Sequence, residues 1–208
     1  MRKVLQIVLA VAAIALAYLL YESIMEPIRF EKERTKRYDA VIKNLKDIRK
    51  AQVAFKDIYN RYTGSFDTLM NFVANDSMPL VKAEGTIPEE YIDSLKSRVK
   101  AEQLALKQGL ISRDTIRLSV KDSLFGNNYN LAKMPIIPYT KNDSFKMAVG
   151  EVTASGLPIK VFEVKAASKI ILRGMSERLI NAYNDGKDYA GLKVGSLSEA
   201  NNNAGNWE

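Results

Sequence analysis

Hydrophobic and polar positions divide this chain into three regimes. From Val4 to Tyr21 the run VLQIVLAVAAIALAYLLY carries no charge, and Gln6, Tyr18 and Tyr21 are its only polar members. As a helix the run reaches about 27 Å, close to the ~30 Å hydrocarbon core of a bilayer. It predicts a membrane-spanning anchor over 1–22. Val4 marks one end, and Tyr18 and Tyr21 mark the other, where aromatic rings favour the headgroup boundary. A cleaved signal peptide and a buried core helix are the competing readings. Arg2 and Lys3 form a basic start, and Ala15-Leu16-Ala17 fits a small-x-small cleavage site, while a stretch this long and uncharged is unusual in a soluble core. The apolar stretch continues through Leu19 and Leu20, past the point where a leader turns polar, and this favours retention.

The second regime, 23–64, alternates charge with a regular seam. Tyr38, Val41, Leu45, Ile48, Gln52, Phe55, Tyr59 and Tyr62 follow one another at spacings of three and four, the pattern of one stripe along a helix. Ile42 and Ile58 widen the stripe, so it suits a globular core as well as a coiled coil. Each large side chain buried along it contributes about 1.5–3 kcal/mol, so a cover is required. The cover is either the chain's own sheet or a partner helix. Gln52 is the polar member, either a register-setting residue between paired helices or a partly exposed position. Gly64 is expected to cap the helix, and Ser65 or Asp67 to start a short helix through about Val73.

The third regime, 65–197, mixes helix and strand signals, and a polar tail with Trp207 occupies 198–208. A strand is expected at Pro79–Lys82, then a helix opened by Pro88, Glu89 and Glu90 that carries Tyr91, Ile92, Leu95, Val99 and Leu104 to about Gly109. Thr115–Val120 alternates as a half-buried strand. Phe145–Thr153 and Leu157–Val164 flank Ser155-Gly156 as a hairpin. A helix near Met175–Tyr183 and a strand near Leu192–Val194 complete an α+β, mainly antiparallel domain.

Composition narrows the chemistry. The chain has no histidine and no cysteine, which removes Ser-His and Cys-His nucleophile pairs, thiolate chemistry and ordinary zinc sites. Neither GxxxxGK[ST] nor GxGxxG occurs. Asp185 and Asp188 beside Gly186 are the faint calcium or catalytic candidate against a solvated turn, and no catalytic, cofactor or metal residue is assigned. The net charge of +7 is interspersed with acids, so anionic headgroups are a simpler counterpart than nucleic acid. Arg2 and Lys3 favour a cytoplasmic start, whereas Arg29, Lys32, Arg34, Lys36 and Arg37 pull the other way. Long domains cross regardless of charge, so the expected location is the inner membrane with the C-terminal domain outside the cytoplasm.

The stretch from the apolar run to Leu69 resembles the N-terminal half of type IV pilins and pseudopilins. The matching positions are Asn44, Leu45, Ile48, Ala51, Gln52, Phe55, Arg61, Tyr62 and Gly64, after Pro27 just past the run. The resemblance implies a membrane helix that continues as an amphipathic helix into a small antiparallel sheet. Lys3-Val4 stands where pilins have a Gly-Phe processing site, and Ala10 lies where they carry a glutamate. An embedded pilin-like component is therefore expected rather than a fibre subunit. The element order also resembles the assembly-platform proteins of pilus and type II secretion machines, which implies a coiled coil and a ferredoxin-like βαββαβ sheet with Thr115–Val120 surplus. A third alternative is a periplasmic ligand-binding domain released by signal cleavage. The expected function is non-enzymatic, with membrane lipids, and envelope proteins or a second copy along the stripe, as partners.

Overall fold

The computed structural model describes residues 1–154 and 156–208, with the side chains of 80–83 and 113–115 left aside. Ser155, half of the expected hairpin turn, lies outside the described residues. A long N-terminal apolar helix leads into a small region of antiparallel sheets and helices. The chain divides into two compact units, 1–66 with 132–208, and 67–131.

The first unit is built on α1 (Arg2–Tyr59), a helix about 87 Å long at 1.5 Å per residue. It runs through Pro27, which has no N–H to offer the preceding turn. It ends at Asn60, not at Gly64. Asn60 adopts φ 53°, and its N–H returns 2.7 Å to the Lys56 carbonyl. Asparagine tolerates the left-handed region better than most residues, so the helix closes four residues before the glycine.

Against α1 lies a three-stranded antiparallel sheet in the order β3-β4-β5, made of β3 (Lys146–Ala154), β4 (Leu157–Ala167) and β5 (Gly191–Gly195). Phe162, Val164, Ala166, Leu192 and Val194 alternate along β4 and β5 and are buried. Between these strands the chain forms α6 (Ser168–Ile171) and α7 (Glu177–Asn184). Gly195 ends β5 at φ 73°, where a Cβ would stand 2.1 Å from the Phe162 carbonyl oxygen, so only glycine fits. The polar tail covers the outer edge of β5. Val194 bridges Gly205, the Gly195 N–H donates to the Ala204 carbonyl at 2.9 Å, and the Asn206 N–H donates to the Lys193 carbonyl at 3.0 Å. Arg49 of α1 holds the same tail through the Asn203 carbonyl at 3.2 Å and Glu208 at 2.8 Å.

The second unit contains α2 (Phe66–Asn75), β1 (Ser77–Glu84), α3 (Glu89–Leu95), α4 (Arg98–Lys107), β2 (Ser112–Ser119) and α5 (Val120–Leu124). β1 and β2 pair antiparallel from Ser77–Ser119 to Glu84–Ser112, and the Val120 N–H closes the open end on the Asp76 carbonyl at 3.0 Å. Two expectations are corrected here. The helix opened by Pro88 does not run on to Gly109: Lys96 turns left-handed at φ 48° and Ser97 is extended, which splits it into α3 and α4. Serine favours the N-cap that Ser97 occupies, while the apolar spacing passes through the break unaltered. The strand at Pro79 does not join the other strands in a βαββαβ sheet. It pairs with β2, the strand held surplus, because the antiparallel partner that follows the helical pair satisfies its backbone first.

Candidate functional site

The features that bear on function lie along α1, bare at one end and sheathed at the other. From Val4 to Ile28 its large aliphatic side chains are exposed, with Ile14 at 71%, and Tyr18 and Tyr21 stand clear at 65% and 58%. From Phe30 onward the helix enters the unit. Tyr38, Val41, Leu45, Ile48, Gln52, Phe55 and Tyr62 are buried, and Tyr59 is half exposed with its ring 4.7 Å from that of Phe55. Of the two covers the seam leaves open, the chain's own sheet is the one present. The Tyr62 ring lies 4.8 Å from Phe162, and Val41, Leu45 and Ile48 are wholly enclosed. Segment 30–55 is thus the central rod of a folded unit and does not stand free.

Gln52 resolves its own ambiguity. It is fully buried, and its amide nitrogen donates to the Thr63 carbonyl at 2.6 Å while its amide oxygen accepts the Thr63 N–H at 3.1 Å. The side chain thereby acts as a two-pronged backbone mimic that ties the loop after α1 back onto the helix. The same amide reaches Met147 Sδ on β3 at 2.9 Å. The amide is spent within the chain and leaves nothing for a second helix.

At the other end of the sheathed segment, α1 is latched to α6 and α7 by polar groups. The Tyr38 hydroxyl lies 2.7 Å from Ser168 Oγ, which donates to Asn184 Oδ1 at 2.9 Å. Burial pushes the Tyr38 phenol up, so it remains a donor throughout the neutral range. The Arg34 guanidinium lies 4.1 Å from the Tyr183 ring, a cation–π contact, and pairs with Glu31. Arg37 donates to the carbonyls of Ile171 at 3.2 Å and Arg173 at 3.1 Å, groups that the short α6 leaves unsatisfied. Nearest the bare segment, Arg178 of α7 meets Glu26 at 2.7 Å. None of these latches has a local sequence signature, since each joins residues more than a hundred positions apart.

Three carboxylates in this unit are held below their usual range. Glu26 is lowered by a hydrogen bond from Ser176 and then by Arg178, Glu33 by Arg37, and Glu208 by Arg49. A lowered folded pKa gives stability that is complete above the unfolded carboxylate value and is lost as pH falls through the folded one. Thermal melts are therefore expected to be flat near neutrality and to fall on acidification below about pH 4.5. High salt at neutral pH should remove part of the same increment, since all three pairs are solvent-facing.

Asp185 and Asp188 are exposed at the turn after α7, and no group of three or more metal-ligating side chains gathers among the described residues. Comparison with protein families, curated proteins and solved structures returns no match to this chain. Among the described residues one helix, α1, is long and apolar enough to span a membrane.

Proposed function

We propose that this chain is a non-enzymatic, single-pass inner-membrane protein and a pilin-like structural component of an envelope complex, with its folded units outside the cytoplasm. The observation that carries the reading is the continuity of α1, bare and apolar from Val4 to Tyr21 and sheathed within its own folded unit from Phe30. Ten large aliphatic side chains lie bare between Val4 and Leu20. At about 1.5–3 kcal/mol each, they represent roughly 20 kcal/mol of burial that water does not provide and a bilayer does.

The same helix sets position. Phe30 lies nine positions beyond Tyr21, a reach of about 14 Å along the axis, so the unit rests just outside the headgroups. Because the rod that enters the lipid also centres the core, a push on the anchor moves the whole unit. Lipid and other envelope proteins or further copies are its partners; contacts with proteins use faces other than the enclosed seam.

Flotation tests this reading. The full chain is expected to rise with phosphatidylcholine vesicles after an alkaline carbonate wash and to migrate as an oligomer or larger complex in mild detergent. The cysteine-free sequence allows Glu177→Cys to be modified by an impermeant maleimide in spheroplasts, which reads sidedness. A native chain trimmed behind Ala17 and soluble after lysis removes the anchor. A strictly monomeric particle removes the assembly role.

A further inference from the structure

The sheet face turned away from α1 carries an arrangement that stability alone does not favour. In the strand register Lys146 of β3 lies opposite Lys165 of β4, and Lys165 lies opposite Lys193 of β5. Three ammonium-bearing side chains thus stand side by side across all three strands, at about 4.5–5.5 Å per step. Like charges placed directly opposite each other on a sheet repel. The neighbouring positions Val164 and Val194 are fully buried on the α1 side, and Met147, next to Lys146, meets Gln52 of α1. Alternation therefore sends all three lysines to the outer face.

Lys146 is exposed, and Lys165 and Lys193 are half-buried, each within reach of solvent. The flanking same-face positions are Ala148, Glu163 and Gly195 on one side, with Ala167 and Gly191 on the other, so four of the five are Ala or Gly. Glu163 bonds Lys165 at 2.7 Å and holds that ammonium above its usual range. Among the described residues, neither Lys146 nor Lys193 has an ion-pair partner. The Tyr189 ring lies 5.8 Å from the Lys165 ammonium.

Three counter-charges compete: anionic lipid, nucleic acid and acidic polypeptide. Ser168, just past Lys165, is bonded at the level of Tyr38, and Met147 at the level of Gln52. The row therefore lies between about 25 and 46 Å beyond Tyr21 along the helix. Several screening lengths of about 8 Å separate it from the headgroups, so anionic lipid does not neutralise it. A nucleic-acid track needs basic groups along a strand with stacking aromatics, whereas this row spans about 10 Å and has one tyrosine beside it. A short acidic stretch of polypeptide fits that span.

We propose that the outer sheet face at Lys146, Lys165 and Lys193 docks an acidic segment of a partner protein. The choice of polypeptide over lipid rests on the anchored reading above; the row itself does not. The test uses the full chain in phosphatidylcholine nanodiscs and a fluorescein-labelled peptide of alternating Glu and Ser, followed by anisotropy. Saturable, salt-sensitive binding is expected, falling about tenfold or more in Lys165→Glu. Lys193→Glu should bind as weakly, and its melting temperature should equal or exceed that of the parent chain, because the new carboxylate faces Lys165 and displaces no ion pair among the described residues. Lys43→Glu, on the exposed face of α1, should bind as the parent does. Equal affinity in Lys165→Glu, an equal loss in Lys43→Glu, or preference for an oligonucleotide or phosphatidylglycerol vesicles over the peptide would overturn the proposal. Flotation with neutral vesicles reads the anchor separately, so failure of one is not mistaken for failure of the other.

Discussion

Replacing Gln52 with leucine is expected to destabilise the unit built on α1 by about 2–4 kcal/mol, although it fills the seam with a larger apolar group. The Thr63 N–H and carbonyl both end on the Gln52 amide in a buried site. Leucine leaves both without a partner, at about 1–3 kcal/mol for each group. The sign of the effect is diagnostic. A polar residue that only sets register between two helices costs stability, and an aliphatic replacement there raises it. Gln52→Glu keeps an acceptor for the Thr63 N–H but loses the donor and buries a carboxylate, so it should do no better. Thermal unfolding in detergent followed by circular dichroism would show a drop of roughly 5–15 °C for Gln52→Leu. A melting temperature that stays level or rises would hand Gln52 back to an intermolecular role.

The larger effect is expected inside the bare segment. Arginine at both Ala13 and Ile14 costs about 2.5–3.5 kcal/mol per residue at the centre of a spanning helix, roughly 6 kcal/mol together. That is about a ten-thousandfold shift in the insertion equilibrium, enough to move the chain from the floated fraction to the soluble one. Ala13 and Ile14 are both exposed, Ile14 at 71%, so the melting temperature of the folded units should not change. A double-arginine chain that still floats at the parent density would show that the segment is not what holds the protein to lipid.

Legibility followed the range of the interaction. The seam from Tyr38 to Tyr62 could be read because a helix repeats every 3.6 residues and the core reads only one side of it. The hairpin could be read because its turn and its alternation lie within about twenty residues, and its register already sets Lys146 against Lys165. The split at Lys96 and Ser97 was hidden, because the apolar spacing continues across it. Asn60 displaced Gly64 as the cap because both residue types tolerate positive φ, and packing of the loop chose between them.

Taken by itself, the order of residues determined that one end of α1 is uncharged and long enough for a bilayer, that the next stretch has a single sticky side, and that mainly antiparallel pairing follows. Those properties depend on side-chain type and local period, both of which are written in the chain. Only the tertiary structure decided what covers that side, which strands share a sheet, and that Lys193 completes a row with two lysines of a hairpin about thirty residues earlier. Such choices depend on which of several compatible surfaces meet in space, and neither residue type nor period specifies that.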